Sequence, residues 1–356
     1  MSVNGPDPHP ATPDERKAQE RGFEQVAKLV AEAHTIVVCA HTSPDGDALG
    51  SELALVEILR ARWEGKEVVT LLADNAEVPR IYRFLAGAEE LVRPDQYDGA
   101  PDLFIAVDLS APQRLGAARE VCERASHTAV LDHHPCDGPV GEACVIRTTA
   151  AAAGVIVAEF ATYLGVCLTR SMAQNLMCAL MTDTGRFQYQ NTDAEAFETA
   201  SLLVSCGADP SEVSLNVYQS FRLQFLHLKS LVMGRITTFA KGKIAYSYAT
   251  RNDLERTGAD LDESDGLIDV VRSVEGSEVA LFLKMVPGDK VRGNLRAKGV
   301  HDVSQVARIM GGGGHRAAAG FTYEGDIDEA LAAVLPHLKR LVEEDAEGAS
   351  TGHEAL

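Results

Sequence analysis

Short apolar runs alternate with longer stretches of helical spacing over the first 205 residues. The runs at 35–40 (TIVVCA), 68–72 (VVTLL), 103–107 (LFIAV) and 128–131 (TAVL) are unbroken. That is the pattern of strands buried on both faces. Apolar positions at helical spacing fill 22–33, 48–63, 150–164 and 170–181. This alternation predicts an α/β domain with a mainly parallel sheet and helices on both faces. Between 193 and 231 apolar residues keep helical spacing with few strand formers, which predicts helices leading into a linker. Beyond that the pattern changes. Hairpins are expected from 235–239 with 244–249, and from 278–286 with 291–297 around Pro287-Gly288-Asp289. Helices are expected at 263–274, 303–310 and 326–342, with a strand near 318–323. The second part reads as a smaller α+β C-terminal domain, set across a cleft from the first. The expected boundaries are a disordered tail at 1–17, a catalytic domain at 18–205, a helical linker at 206–232, a substrate-binding domain at 233–342 and a second disordered tail at 343–356.

Composition narrows the function. The chain has 356 residues, 46% hydrophobic and 24% charged, which suits a globular protein of about two domains. The net charge of −19 argues against coating long nucleic acid or an anionic membrane. It leaves room for a small phosphate ligand in a local basic pocket. No apolar run reaches the roughly 18 residues of a membrane span. The opening MSVNGPDPHPATPDERKAQE lacks the basic and apolar regions of a secretory signal. The seven cysteines are odd in number and form no CxxC, which predicts free thiols and a cytoplasmic location. A zinc site using Cys136 beside the histidine pair is the minor alternative.

The candidate chemistry follows the buried runs. TIVVCA leads into His41-Thr-Ser-Pro-Asp45-Gly-Asp47, LFIAV into Asp108, and TAVL into Asp132-His133-His134. A further Asp183 follows the helix at 170–181, within Met181-Thr182-Asp183-Thr184-Gly185. Open parallel sheets bind ligands at the carboxyl ends of their strands. Singly, Asp45 reads as a turn residue, Asp108 as a helix cap and His133 as a core histidine. Together the carboxylates would repel one another without cations. Imidazole and carboxylate suit Mn²⁺, Mg²⁺, Fe²⁺ or Zn²⁺. Six or more ligands point to two ions, the usual arrangement for phosphoryl hydrolysis.

In order, His41-x-x-x-Asp45-x-Asp47-Ala48-x-Gly50, Asp108, Asp132-His133-His134 and Thr182-Asp183-Thr184-Gly185 resemble the four motifs of the DHH phosphoesterase superfamily. Gly311-Gly312-Gly313-Gly314-His315-Arg316-Ala317-Ala318-Ala319-Gly320 resembles the glycine signature of the domain that accompanies DHH modules. The resemblance runs from about 22 to 335 and is nearest the nanoRNase / pAp phosphatase (NrnA-type) group. It implies two divalent ions, expected to be Mn²⁺, with Mg²⁺ or Co²⁺ as substitutes. His41, Asp45 and Asp108 would hold one. Asp47, Asp108, His133 and Asp183 would hold the other, with Asp108 bridging. His134 would face the substrate as acid or phosphate ligand, and Asp132 would orient a histidine. Arg296 and His315 would grip the phosphate that is not cleaved.

The glycine run also has a reading of its own. Gly312, Gly313 and Gly314 lack Cβ atoms, so backbone N–H groups can approach a phosphate; a flexible linker is the plainer reading. Between Lys284 and Arg316 seven basic residues stand against two acidic ones, a basic patch in an acidic chain. The strand before the glycines reads Asn294-Leu295-Arg296-Ala297; the arginine expected from the family is present and its flanking hydroxyls are not. Arg114 is a further candidate phosphate contact, with a solvated helix charge as the alternative. Phe187 and Tyr189 are candidates to stack on a base or to lie in the core.

The expected activity is hydrolysis of short oligoribonucleotides, linear dinucleotides or 3′-phosphoadenosine 5′-phosphate to nucleoside monophosphates. A soluble cyclic-dinucleotide phosphodiesterase is the alternative. An inorganic pyrophosphatase is disfavoured because its basic motif is missing. A RecJ-like exonuclease would be longer and less acidic. A nucleotide sensor with a dead site would lack metal ligands, and none is missing. Partners are therefore short RNA or nucleotides, with no long nucleic acid and no membrane; homodimerisation is left open.

Overall fold

The computed structural model describes residues 13–109, 111–136, 141–314 and 316–351. The chain divides into two units between Ser220 and Phe221, each built on its own sheet. The first unit opens with α1 (Pro13–Glu32), β1 (Thr35–Cys39), α2 (Gly46–Arg62) and β2 (Glu67–Leu71). It continues through β3 (Leu103–Val107), α3 (Arg119–Arg124), β4 (His127–Asp132) and β5 (Ala143–Ile146). The helices α4 (Ala153–Tyr163), α5 (Arg170–Asp183), α6 (Ala194–Ser205) and α7 (Pro210–Val213) complete it. All five strands are parallel, in the order β2-β1-β3-β4-β5. The order reverses between β1 and β3, which opens a crevice at their carboxyl ends.

Both faces of this sheet are buried, as the unbroken apolar runs require. Ile36, Val38, Ile105 and Leu131 point into the core shared with α1, α2, α4 and α5. Val37, Phe104 and Val130 point the other way, beside Leu115 and Val121. Helix α2 is covered on nearly every side. Two glycines let it approach α5: a Cβ at Gly46 would sit 2.5 Å from the Thr182 side chain, and one at Gly50 would sit 2.3 Å from the Asn175 carbonyl oxygen. This close packing brings the first turn of α2 beside the last turn of α5, where Asp47 and Asp183 lie.

Glu52, one turn further along α2, is fully buried. It accepts hydrogen bonds from Ala40 N (3.1 Å), Leu71 N (3.0 Å) and the Thr70 hydroxyl, tying α2 to the ends of β1 and β2. Burial raises its pKa to about 8, against the opposing pull of those donors. The folded state then holds the proton more tightly than the unfolded chain does. Stability from this group is present at low pH and is lost as pH rises towards and through about 8. We expect Glu52→Gln, which stays neutral, to reduce the fall in melting temperature between pH 5 and 8 relative to the parent. Parallel melting curves for the two proteins across that range would count against this ionisation.

The second unit contains α8 (Leu223–Gly234), β6 (Thr237–Phe239), β7 (Ile244–Ala249), α9 (Arg251–Thr257), α10 (Leu267–Arg272), β8 (Val279–Val286) and β9 (Lys290–Ala297). It ends with α11 (Val303–Ile309), β10 (Gly313–Gly314), β11 (Ala318–Glu324) and α12 (Ile327–Thr351). Its sheet is mixed, in the order β10-β11-β9-β8-β7-β6. Both hairpins expected from the sequence are present, β6 with β7 and β8 with β9. β7 and β8 are parallel, joined by a crossover through α9 and α10.

Some boundaries differ from the sequence reading. α1 starts at Pro13, inside the expected N-terminal tail; the exposed Arg16 and Lys17 belong to the same helix whose later turns bury Phe23, Val26 and Val30. α12 runs on to Thr351, past the expected start of the second tail at 343. Residues 1–12 and 352–356 lie outside those described. The stretch read as a linker is shared out between the two cores. Ala208, Val213 and Val217 pack into the first, and Phe225, Leu228 and Val232 into the second. Strand β5 was not expected; it is a four-residue edge strand with every second residue buried.

Candidate active site

Four segments meet at the crevice. Beyond β1, His41 is buried with its Nδ1 2.9 Å from the carbonyl oxygen of Thr42. That contact makes Nδ1 the protonated nitrogen and turns Nε2 towards Asp108 Oδ2 (3.4 Å) and Asp45 Oδ2 (4.0 Å). Asp45 caps α2: its Oδ1 accepts from Asp47 N and Ala48 N, both at 3.0 Å. Its other oxygen is left facing the histidine. Asp47, in the first turn of α2, is buried and accepts from Ser51 Oγ (2.9 Å), Ala153 N (2.7 Å) and Gly154 N (3.0 Å).

Asp108 follows β3 in the left-handed region, at φ 55°, and its N–H bonds the Leu131 carbonyl of β4. Such a backbone is uncommon for a residue with a side chain and is found at functional sites. It aims the carboxylate into the middle of the group. Oδ1 lies 3.4 Å from His133 Nε2 and 3.3 Å from His134 Nδ1, while Oδ2 faces His41. Burial disfavours its charge, but three imidazoles against it hold the carboxyl well below the usual range.

After β4, Asp132 Oδ1 accepts from His133 N, His134 N and His134 Nδ1, the last at 2.8 Å. His133 Nδ1 donates to the Ala150 carbonyl (3.1 Å), so its Nε2 faces Asp108, Asp47 Oδ2 (3.6 Å) and Asp183 Oδ2 (3.8 Å). Burial opposes charge on both histidines. Contact with Asp108 and the surrounding carboxylates nevertheless raises His133 to about 11 and His134 to about 10. Asp183, at the end of α5, is pushed up to about 7 by burial, offset in part by His133.

These side chains fit divalent cations. Three sets of ligand atoms lie within 4.8 Å of one another: His41–Asp45–Asp108, Asp47–His133–Asp183 and Asp108–His133–His134. Both His41 and His133 present the Nε2 lone pair with Nδ1 fixed behind it, the orientation of a metal-ligating histidine. Asp108 Oδ1 is buried with no hydrogen-bond partner among the described residues. The six residues read as ligands from the sequence therefore gather at one place. Cys136 belongs to none of the three sets.

Comparison with known proteins shows the family. Residues 35–182 match the family model described as DHH family, N-terminal domain, and residues 241–344 match the DHHA1 domain. The bifunctional oligoribonuclease and PAP phosphatase NrnA of Thermus thermophilus is 32% identical over 327 residues, spanning 89% of this chain and 95% of that protein. The chain belongs to the DHH family. A protein of the same description from Bacillus subtilis is 25% identical, over 83% of this chain and 91% of its own. The cyclic-di-AMP phosphodiesterase GdpP of Geobacillus thermodenitrificans is also 25% identical; the match spans 81% of this chain and 44% of that one. An exopolyphosphatase-related protein from Bacteroides fragilis shares the fold, with a TM-score of 0.84 and 22% identity, over 91% of this chain and 98% of that chain. Among the described residues, no helix of this DHH chain is long and apolar enough to cross a membrane.

The remaining site residues fall as follows. Arg114 lies in a 3-10 turn whose carbonyl accepts from Thr42 N at 2.8 Å, and its charge acts on His41. Arg296 lies on β9, in line with Arg292 and Asn294 on one side of the strand; Val291, Gly293 and Leu295 fill the buried side. Gly313 and Gly314 form a short edge strand against β11. A Cβ at Gly312 would meet the Gly320 carbonyl oxygen at 2.1 Å, so packing alone requires a glycine there. A Cβ at Gly313 would meet open space. His315 lies outside the described residues. Phe187 stacks on Phe197 with ring centres 5.3 Å apart, and the Tyr189 ring covers Gly185. Sequence reasoning missed Asn191, Ser51 and the main chain of 150–154, all of which hold candidate ligands in place. An asparagine eight residues after Asp183 was the one signal available.

Proposed function

We propose that this protein is a phosphoesterase with two divalent ions, expected to be Mn²⁺. It hydrolyses short oligoribonucleotides and 3′-phosphoadenosine 5′-phosphate to nucleoside monophosphates. The observation that carries the reading is Asp108, whose two oxygens face two separate ligand groups. Ions at such a pair of sites supply a water of lowered pKa and neutralise charge on the attacking and leaving oxygens. Asp132 fixes the Nδ1 proton of His134, so that Nε2 is the atom offered to the phosphate. In that orientation the ring can serve as a hydrogen-bond donor to a phosphate oxygen. The similarity to the two NrnA proteins supports these substrates. The similarity to GdpP supports cyclic dinucleotides as the second reading.

A panel in Mn²⁺ distinguishes the two. Hydrolysis of pApA, short RNAs and 3′-phosphoadenosine 5′-phosphate, all faster than cyclic dinucleotides and pyrophosphate, is the expected result. Cleavage of cyclic dinucleotides alone would replace the first reading with the second.

In this reading Arg296, with the glycine segment and His315, binds a phosphate group that is not cleaved, and Arg114 is a further phosphate contact. A charge-assisted contact is worth roughly 1.5–3 kcal/mol, about tenfold to a hundredfold in affinity. Arg296→Ala is therefore expected to raise KM by that factor for dinucleotides with a terminal phosphate, and to have little effect on unphosphorylated ones. Unchanged relative efficiency on the two, in a variant that melts normally, would remove Arg296 from the site.

A further inference from the structure

The alanine-rich segment that runs from β5 into the first turn of α4 carries no candidate ligand, yet its main chain touches two of them and reaches a third through Asn191. The Ala150 carbonyl accepts from His133 Nδ1 at 3.1 Å. Ala153 N and Gly154 N donate to the two oxygens of Asp47 at 2.7 and 3.0 Å. The Ala151 carbonyl accepts from Asn191 Nδ2 at 2.9 Å, and the same nitrogen lies 3.2 Å from both the carbonyl oxygen and Oδ2 of Asp183. All three neighbours are acceptors, so only the NH₂ end of the amide fits there. The whole Asp47–His133–Asp183 group is thereby attached to one segment.

That segment is itself anchored. Arg147 N donates to the Asp132 carbonyl, and Ala150 N to the Arg147 carbonyl, both at 3.0 Å. The Arg147 guanidinium is buried between Glu195 of α6 (2.8 Å) and Glu159 of α4 (3.1 Å). Small side chains are required along it: a Cβ at Gly154 would lie 2.7 Å from Ala179 Cβ. The His41–Asp45–Asp108 group uses none of these supports. His41 is fixed by the Thr42 carbonyl and Asp45 by the first turn of α2.

We propose that Asn191 is a positioning residue which, with the main chain of 150–154, aligns the Asp47–His133–Asp183 half of the centre and not the other half. The inference rests on the two-ion reading above. Partners that orient metal ligands typically account for about 10- to 100-fold in ion affinity. The test is calorimetric titration of the metal-free protein with Mn²⁺. In Asn191→Ala one of two binding steps is expected to weaken 10- to 100-fold while the other is unchanged, with the metal-free melting temperature the same as that of the parent. In a His41→Ala background, which leaves the Asp47–His133–Asp183 ion, adding Asn191→Ala is expected to weaken the remaining step by the same factor. A parent that binds two ions, with both or neither weakened by Asn191→Ala, overturns the inference. A parent that binds no Mn²⁺ overturns the two-ion reading instead.

Discussion

Asp108→Ala is expected to abolish hydrolysis of every substrate and to remove high-affinity binding of both ions. Loss of a residue that merely supports a ligand costs about 10- to 100-fold. Asp108 stands at the join of two ligand groups, so its loss should exceed that range. Its oxygens lie 3.3–3.4 Å from three imidazole nitrogens, and without it the histidines would face one another with no shared carboxylate. The backbone complicates the alanine variant, because a left-handed residue with a Cβ costs roughly 1–2 kcal/mol where no side chain compensates. Asp108→Asn avoids this, since asparagine tolerates that conformation and keeps the shape while losing the charge. Both variants should melt as folded proteins and bind Mn²⁺ weakly in calorimetry. Parental activity in either, or in the parent with excess chelator, would be incompatible with two ions sharing this carboxylate.

The second large effect is expected at His134, and it should be of a different kind. His134→Ala should lower kcat on all substrates by about 10²–10⁴-fold, the usual value of a positioned acid, while Mn²⁺ binding persists. Binding should persist because the nitrogen nearest Asp108 is Nδ1, already committed to Asp132 at 2.8 Å. Asp132→Asn should cause a smaller loss of the same type, since the ring stays but its orientation is less firmly held. Loss of Mn²⁺ from His134→Ala would make the histidine a ligand; unchanged kcat would remove it from the chemistry.

Much of the candidate ligand set was legible because each of its members follows an apolar run that could only be a buried strand or helix. A doubly buried strand leaves few places for a charged side chain except its carboxyl end. His41, Asp108 and Asp132-His133-His134 therefore announced both their position and their proximity. Asp183 was legible from its motif, although it ends a helix. What holds the ligands was not legible. Asp47 is held by two backbone N–H groups and His133 by a backbone carbonyl, and main-chain donors leave no mark in residue type. The alanines of 150–153 read as the start of a helix, whereas the helix begins only at Ala153. The glycine run shows the opposite difficulty. Its composition suggested a phosphate cradle, yet Gly312 is also required by contact with β11.

The glycines of α2 set a mechanical tolerance. Asp47 rides on one helix and Asp183 on another, so the clearance between the two helices sets the distance between these two carboxylates. At Gly46 and Gly50 that clearance is a missing carbon atom each. A methyl group at either would leave every candidate ligand in the chain and still press the two helices apart. The spacing of the carboxylates is thus governed by two positions that carry no ligand atom, and a change there would alter that spacing with every candidate ligand kept.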